Sequence, residues 1–303
     1  MDFSTVFTFA KQLIATVLIL LTMMSPAFGK TGAEYEAENK EELIMSFSAV
    51  SDIHIETNNP DSFKNFSDLL KGVKGGKDID AVVYTGDNVM NGQFLENLFF
   101  YTGVRSIMPS ENNFVVMGNH DIGNGTGEFD KHYKNFLANN NLLLGNNIDK
   151  GYYYRVVNGC YMIFLASEDL TVNDCVMTEE QLAWLEGVLN EAEKNGATTF
   201  VFNHHPLYQL TGVEKDSLAN LLSQYDNLLY IHGHIHDDLG EDNFKKQGGV
   251  DTINLPRSTE AVEYEPGDGI VVEVYEEEIL VRGRDFIKGE WVEGLEFRYP
   301  LGK

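Results

Sequence analysis

A chain of 303 residues, 43% apolar and 12% aromatic, is long enough for one large domain with a substantial core. Its formal charge of −25 excludes the electrostatic footprint of a nucleic-acid binder, and of a protein held to anionic membranes by charge. Two cysteines exclude a scaffold built on disulfides.

At the N-terminus Lys11 precedes an apolar run from Leu13 to Met24, interrupted by Thr16 and Thr22, and Ser25-Pro-Ala-Phe-Gly29 follows. Ala27 and Gly29 supply the small residues of a cleavage site, so residues 1–29 read as a secretory signal removed near Gly29. The run is shorter than the ~20 residues of a membrane-spanning helix, which ranks a retained anchor behind a cleaved signal. Removing the segment takes away Asp2 and Lys11 and leaves the charge at −25. The expected location is secreted, extracellular or in the cell envelope, with no transmembrane segment left after cleavage. Residues 30–42 are polar and Glu-rich and read as a linker. Residues 43–303 read as a single domain.

In chain order, Ser46–Val50 is a short strand running into Ser51-Asp52-Ile53-His54. Phe63, Phe66, Leu69 and Leu70 recur at helical spacing over 61–72, with Asp61 as the N-cap. A second strand over 81–85 meets Gly86-Asp87-Asn88. A second helix over 93–108 carries Phe94, Leu98, Tyr101 and Val104, and Pro109 closes it. Val115, Val116 and Met117 read as a strand buried on both faces, stopping at Gly118, where the backbone can turn sharply or approach a ligand closely. Asn119, His120 and Asp121 follow at once. The glycine-rich stretch 122–127 is a flexible connector or a lid, and lacks the lysine ending of a phosphate-binding loop.

Residues 128–138 look helical. Asn158-Gly159 between two apolar strands predicts a type I′ hairpin. Cys160 opens its second strand and Cys175 follows in the next loop, as a bridged pair or as two buried thiols. Thr178-Glu-Glu-Gln181 reads as a capping box ahead of Leu182, Leu185 and Leu189, with Trp184 in the core. The strand over 198–203 runs into His204-His205-Pro206. Asp216 caps a short helix, and the strand over 227–231 runs into His232-Gly233-His234-Ile235-His236. Beyond His236 the pattern is β-rich, with strands over 250–255, 269–275 and 278–284, which predicts a second sheet packed on the first.

Five apolar runs thus end in Asp, Asn or His. At the carboxyl ends of parallel strands these side chains converge on one edge, where open α/β sheets place their sites. Asp52, His54, Asp87, Asn119, His204, His234 and His236 supply carboxylate, amide oxygen and imidazole without thiolate. That set suits Mn, Fe, Zn, Co or Ni and argues against a structural zinc. Seven ligands exceed what one such ion takes and suit two ions sharing a carboxylate. Such a pair, roughly 3.5–4 Å apart, clamps a phosphoryl group for in-line attack. Two divalent ions against two carboxylates and a hydroxide leave the site locally positive and attractive to small anions.

The set Asp52-Ile-His54, Gly86-Asp87, Gly118-Asn-His-Asp121, His204 and Gly233-His-Ile-His236 resembles the calcineurin-like metallophosphoesterase family over roughly residues 43–287. The resemblance implies a four-layer α/β/β/α sandwich, two packed mixed sheets flanked by helices. It implies two divalent or mixed-valence transition-metal ions, one held by Asp52, His54, Asp87 and His236, the other by Asp87, Asn119, His204 and His234. Asp87 bridges them. It also implies His120 as general acid or transition-state stabiliser, with Asp121 orienting it.

Purple acid phosphatases place a Tyr three residues after the bridging Asp. Met90 stands there in this chain, which argues against an Fe(III)–tyrosinate centre. Of the remaining candidates, His205 reads as a support of its neighbours, His232 as core and His132 as a residue of a surface helix, while Arg257, in the loop after strand 250–255, reads as a plain surface residue ahead of a substrate contact. The expected activity is that of an exported dimetal phosphoesterase cleaving small phosphate mono- or diesters by attack of a metal-bridging hydroxide. Alternatives are a phosphodiesterase of cyclic nucleotides or of the cell envelope, and a metal-binding envelope module without turnover. The intact ligand set and His120 argue against the last. The expected partner is a small phosphate ester and not a nucleic-acid polymer.

Overall fold

The computed structural model describes residues 32–107, 112–259 and 266–302; the expected signal segment and Pro109 lie outside them. Strands β1 (Met45–Val50), β2 (Ala81–Thr85) and β3 (Asn113–Val116) run parallel, and helices α1 (Pro60–Val73) and α2 (Phe94–Ile107) form their crossovers. After α3 (Phe129–Asn139) comes the hairpin β4 (Tyr153–Val157) and β5 (Cys160–Phe164). Next are β6 (Cys175–Val176), α4 (Glu179–Lys194), β7 (Thr199–Phe202), β8 (Leu210–Thr211), α5 (Ser217–Leu222) and β9 (Leu228–His232). The chain ends in strands β10 (Phe244–Gln247), β11 (Val250–Asn254), β12 (Asp268–Val274), β13 (Glu278–Asp285) and β14 (Glu290–Pro300).

Two six-stranded mixed sheets result, ordered β14-β13-β12-β1-β2-β3 and β10-β11-β9-β7-β5-β4, with β6 and β8 as a small separate pair. The chain is the expected four-layer α/β/β/α sandwich. Period-two alternation builds it. In β5, β7 and β9, residues Met162, Phe164, Phe200, Phe202, Leu229 and Ile231 face the core between the sheets. Their neighbours Tyr161, Ile163, Val201, Leu228 and Tyr230 face the opposite way, onto Leu185 and Leu189 of α4. Aromatic edges lock the sheets together: Phe47 of β1 meets Phe200 at 4.8 Å and Phe202 at 5.6 Å, and Phe114 of β3 meets Phe164 at 5.1 Å. Each such buried ring contributes about 1.5–3 kcal/mol through burial alone. On the outer face of the first sheet, Phe63 and Phe66 of α1 pack on Phe99 of α2.

Several local expectations are corrected. Helix α1 starts one residue early, because Pro60 is preorganised for the first helical position, and Asn59 caps it by accepting from the Asp61 N–H at 3.2 Å. The capping box at α4 is half formed. Thr178 accepts from the Gln181 N–H, but the Gln181 amide is spent on the Ala166 backbone, and Glu168 takes the Thr178 N–H. Asp216 precedes α5 without a side-chain cap bond. The expected linker is docked on the domain from Gly32 onward, because Tyr35 inserts its ring beneath the Arg284 guanidinium and reaches the Ser48 hydroxyl at 2.9 Å.

The hairpin turn carries positive φ at both Asn158 and Gly159, as type I′ requires. Cys160 lies in the core between the sheets and Cys175 in the core under α4, so both are free and buried, and burial raises both thiols to about 12. Among the described residues no helix is long and apolar enough to cross a membrane.

Candidate metal centre

Strands β1, β2 and β3 of one sheet and β5, β7, β9 and β11 of the other run parallel within their sheets, so their carboxyl ends share an edge. The turns leaving this edge are tight. Among the described residues nine non-glycine residues have positive φ, and five of them are Asp52, His54, Asp87, His234 and His236. A left-handed non-glycine residue costs of order 1–3 kcal/mol, so backbone strain is concentrated on the candidate ligands. Two motif glycines are there for close approach. A Cβ on Gly118 would collide with the Asp87 carboxylate and backbone nitrogen, and one on Gly233 with Ser51 and the Asp52 carboxylate.

Asp52 and Asp87 are fully buried. Each ties one carboxylate oxygen to the backbone of another motif: the His234 N–H donates to Asp52 Oδ2 at 3.1 Å, and the His120 N–H to Asp87 Oδ1 at 2.8 Å. The other oxygens face imidazoles. Asp52 Oδ1 lies 2.8 Å from His236 Nε2, which is 3.1 Å from His54 Nε2. Asp87 Oδ2 lies 3.0 Å from His204 Nε2 and 3.9 Å from His54 Nε2. His234 Nδ1 is 3.1 Å from the Asn119 amide oxygen, and the Asn119 amide nitrogen is turned away onto Asn124.

The described residues thus hold two groups able to take a metal ion, Asp52-His54-Asp87-His236 and Asp87-His204-His234, each with its donor atoms within 4.8 Å of one another. Asn119 adjoins the second, and Asp87 is common to both.

The donors fit cations. Asp87 Oδ2 and His204 Nε2 are buried and 3.0 Å apart, yet they form no aligned hydrogen bond. His204 donates from Nδ1 to the Thr85 carbonyl at 2.9 Å, which turns Nε2 toward the carboxylates, the usual outer support of a ligating histidine. Burial by itself would depress His204, but Asp87 and Asp52 raise it to about 10. Burial by itself would raise Asp52, yet His204, His236 and His54 hold it well below the ordinary carboxylate range. Buried negative charge here calls for positive charge. His234 is pushed down to about 4 by burial and by His204, which keeps its ring neutral and able to ligate.

His120 and Asp121 do not form the expected pair. His120 Nδ1 donates to the Met90 carbonyl at 2.7 Å, and Nε2 points toward Asp87 Oδ2, 4.0 Å away. The Asp121 carboxylate turns inward and accepts from the N–H groups of Gly118, Asn88 and Val89 and from the Asn88 amide, stitching two strand ends together. Burial and the Asp87 charge raise its carboxyl. The ring of His120 is therefore held by Met90, at the position where purple acid phosphatases carry Tyr.

His205 packs on the rings of His204 and His234 at 5.2 and 4.6 Å, and burial keeps it neutral. His232 is buried beside the Gly233 carbonyl. His132 is half-buried, its ring wedged against Gly92 and Gly123. Arg257 is not a plain surface residue, since it is half-buried and donates to His236 Nδ1. The signal for it was the parallel placement of β11 beside β9, which brings the loop after Asn254 to the same edge as His232.

Residues 45–238 match the calcineurin-like phosphoesterase family. The chain belongs to that family. This calcineurin-like chain is accordingly a phosphoric ester hydrolase with a candidate metal-binding group of Asp and His residues. Among solved structures it is similar to a dimetal phosphatase from Danio rerio, at 15% identity and a TM-score of 0.56, over 86% of this chain and 100% of that one. It is also similar to the sulfate thiohydrolase SoxB of Thermus thermophilus (11%, TM-score 0.46, 88% and 58%) and to vacuolar protein sorting 29 of Cryptosporidium parvum (13%, 0.41, 86% and 98%). No curated protein sequence matches the chain.

Because Asp87 alone is common to both donor groups, Asp87→Asn is expected to reduce bound metal at both positions. His205→Ala, which removes a ring packed against His204 and His234, is expected to weaken metal affinity by about 10–100-fold at most. Metal analysis after dialysis compares them, and two retained ions in Asp87→Asn would refute the shared-ligand assignment.

Proposed function

We propose that this chain is an exported dimetal phosphoesterase that hydrolyses small phosphate mono- or diesters. The observation that carries the reading is the pair of donor groups joined at Asp87. Asp52, His54, Asp87 and His236 would hold one ion, and Asp87, Asn119, His204 and His234 the other. Carboxylate, amide and imidazole donors suit Mn, Fe, Zn, Co or Ni. Such ions supply activation of water and neutralisation of phosphoryl charge.

The chain's own residues do the rest. The His120 N–H fixes the Asp87 carboxylate, and the Thr85 carbonyl fixes the ring of His204. His120 keeps Nδ1–H on the Met90 carbonyl throughout, so the proton it can deliver to a departing oxygen is the one on Nε2. Asp121 acts at one remove, by holding Gly118 and Asn88 in the turns that aim Asn119 and Asp87.

Chelation should abolish hydrolysis across a panel of mono- and diesters, and added Mn, Co or Ni should restore it. Full turnover by protein shown to be metal-free would overturn the reading.

His120→Ala should keep both ions and lose most rate where the leaving group most needs a proton. The loss should reach about 10²–10⁴-fold on alkyl esters and far less on nitrophenyl esters. Equal losses across leaving groups would instead make His120 an electrostatic clamp on the phosphoryl oxygens.

Export rests on the segment before Lys30. Mass spectrometry of the protein recovered outside the cytoplasm should give a terminus near Lys30, and an intact Met1 there would favour the anchor.

A further inference from the structure

We propose that Glu96 is the positioning residue of His120, acting through the single peptide unit that joins Met90 to Asn91. The inference deepens the phosphoesterase reading above and rests on it. It assigns a residue outside both donor groups and outside every sequence motif.

Glu96 stands in the first turn of α2 and is fully buried. Its hydrogen bonds are all accepted ones. Oε2 takes the Asn91 N–H at 3.0 Å and the Gln93 N–H at 3.2 Å, while Oε1 takes the Asn91 side-chain amide at 3.1 Å and the Thr57 N–H at 3.5 Å. The bond to Gln93 alone is helix capping, a Glu at the third helical position reaching back to the N–H of the residue before the helix. Capping needs one oxygen and no burial. It does not account for the bonds to Asn91 and Thr57, which lie outside the helix. A buried carboxylate demands such donors, and here that demand ties down the loops that follow Asp87 and His54.

One of these bonds continues into the site. The Asn91 N–H and the Met90 carbonyl belong to the same planar peptide unit. The N–H is on Glu96, and the carbonyl accepts from His120 Nδ1 at 2.7 Å. A turn of that plane would break both bonds at once. Hydrogen bonds in series strengthen one another, and the charged acceptor at the far end makes the first of them stronger than a neutral pair. The neighbouring backbone closes the remaining freedom. Met90 donates its N–H to the Ile55 carbonyl at 2.9 Å, and Ile55 donates to the Asn88 carbonyl at 3.1 Å. Gly92, at a φ of 59°, lies so close to the Asp121 carbonyl and the His132 ring that a Cβ would collide with both. The aim of His120 Nε2 is thus set by a carboxylate that the imidazole does not touch, which is the task Asp121 does not perform.

The test uses the full-length protein loaded with Mn²⁺, with kcat and KM measured on matched alkyl and nitrophenyl phosphate esters. Glu96→Ala should lower kcat on the alkyl ester about 10²-fold, the cost of misplacing a reacting group by about 1 Å. It should reproduce the leaving-group profile of His120→Ala and leave KM and bound metal unchanged. Glu96→Gln keeps an acceptor for the Asn91 N–H without the charge and should fall between wild type and Glu96→Ala. It carries the same test if the alanine variant fails to fold. In a His120→Ala background neither substitution should slow the alkyl ester further, because residues that act as one unit are not additive.

A carboxylate that only caps α2 would give a leaving-group profile unlike that of His120→Ala and would add its full loss to it. Either result overturns the proposal, as does loss of bound metal. If His120→Ala itself slows both esters equally, the proton-donor reading of His120 fails, and the additivity comparison still decides whether Glu96 acts through it. A wild-type protein without metal-dependent turnover overturns the phosphoesterase reading and this assignment with it.

Discussion

Two carboxylates with no exposure to water, Asp52 and Asp87, set the terms for the carboxyl edge of both sheets. An isolated buried carboxylate is prohibitively unfavourable, so each must be met by cations or donors on every side. Five strand ends supply them. His120 and His234 give backbone N–H groups to one oxygen of each carboxylate, and four imidazoles crowd the other oxygens. The left-handed backbone at Asp52, His54, Asp87, His234 and His236 follows from the same demand, because a chain leaving a strand must double back at once to keep its side chain within reach. The inter-sheet aromatics around Phe47, Phe164 and Phe202 provide the rigid footing against which that strain is held.

Electrostatics divides the molecule into two regimes. The surface carries most of a net charge of −25, spread in water, where screening keeps its reach near a Debye length of about 8 Å at physiological salt. At the carboxyl edge, burial removes that screening. The imidazoles there respond to individual neighbours: His204 is drawn up by Asp87 and Asp52, while His205, one residue on, is driven down by burial and by His204. Adjacent histidines thus differ in kind, one facing the carboxylates and the other filling space between rings.

Much of this was legible in the sequence because buried parallel strands are continuous apolar runs, and the polar residue that ends each run is conspicuous. The positions of Asp52, Asp87, Asn119, His204 and His234 followed from that alone. The edge strands β10 and β14 were not legible: their faces are wetted, and Lys245, Lys246, Glu290 and Glu293 break any apolar alternation. The partners of Asp121 were hidden for another reason. They are backbone N–H groups of Gly118, Asn88 and Val89, which no side-chain pattern encodes. The Met90 carbonyl that holds His120 is of the same class, and the place of Arg257 depended on the parallel register of Asn254 beside His232.

The pairing of β1 with β12 joins Met45 to Val274, far apart in sequence, and is antiparallel. Loop-closure entropy makes such a contact among the last to form, since nearly the whole chain between must be ordered or gathered first. Asp52 and His54 leave the end of β1, and Ser51 is pinned by the loop that precedes β12. The first motif to emerge during synthesis is held early by β2, through the Asp52 and His54 N–H groups on Gly86 and Asp87, and is completed only when that later loop arrives. A partly made chain presents the histidines and carboxylates as separate, weak ligands, and the full donor set arrives together with completion of the fold.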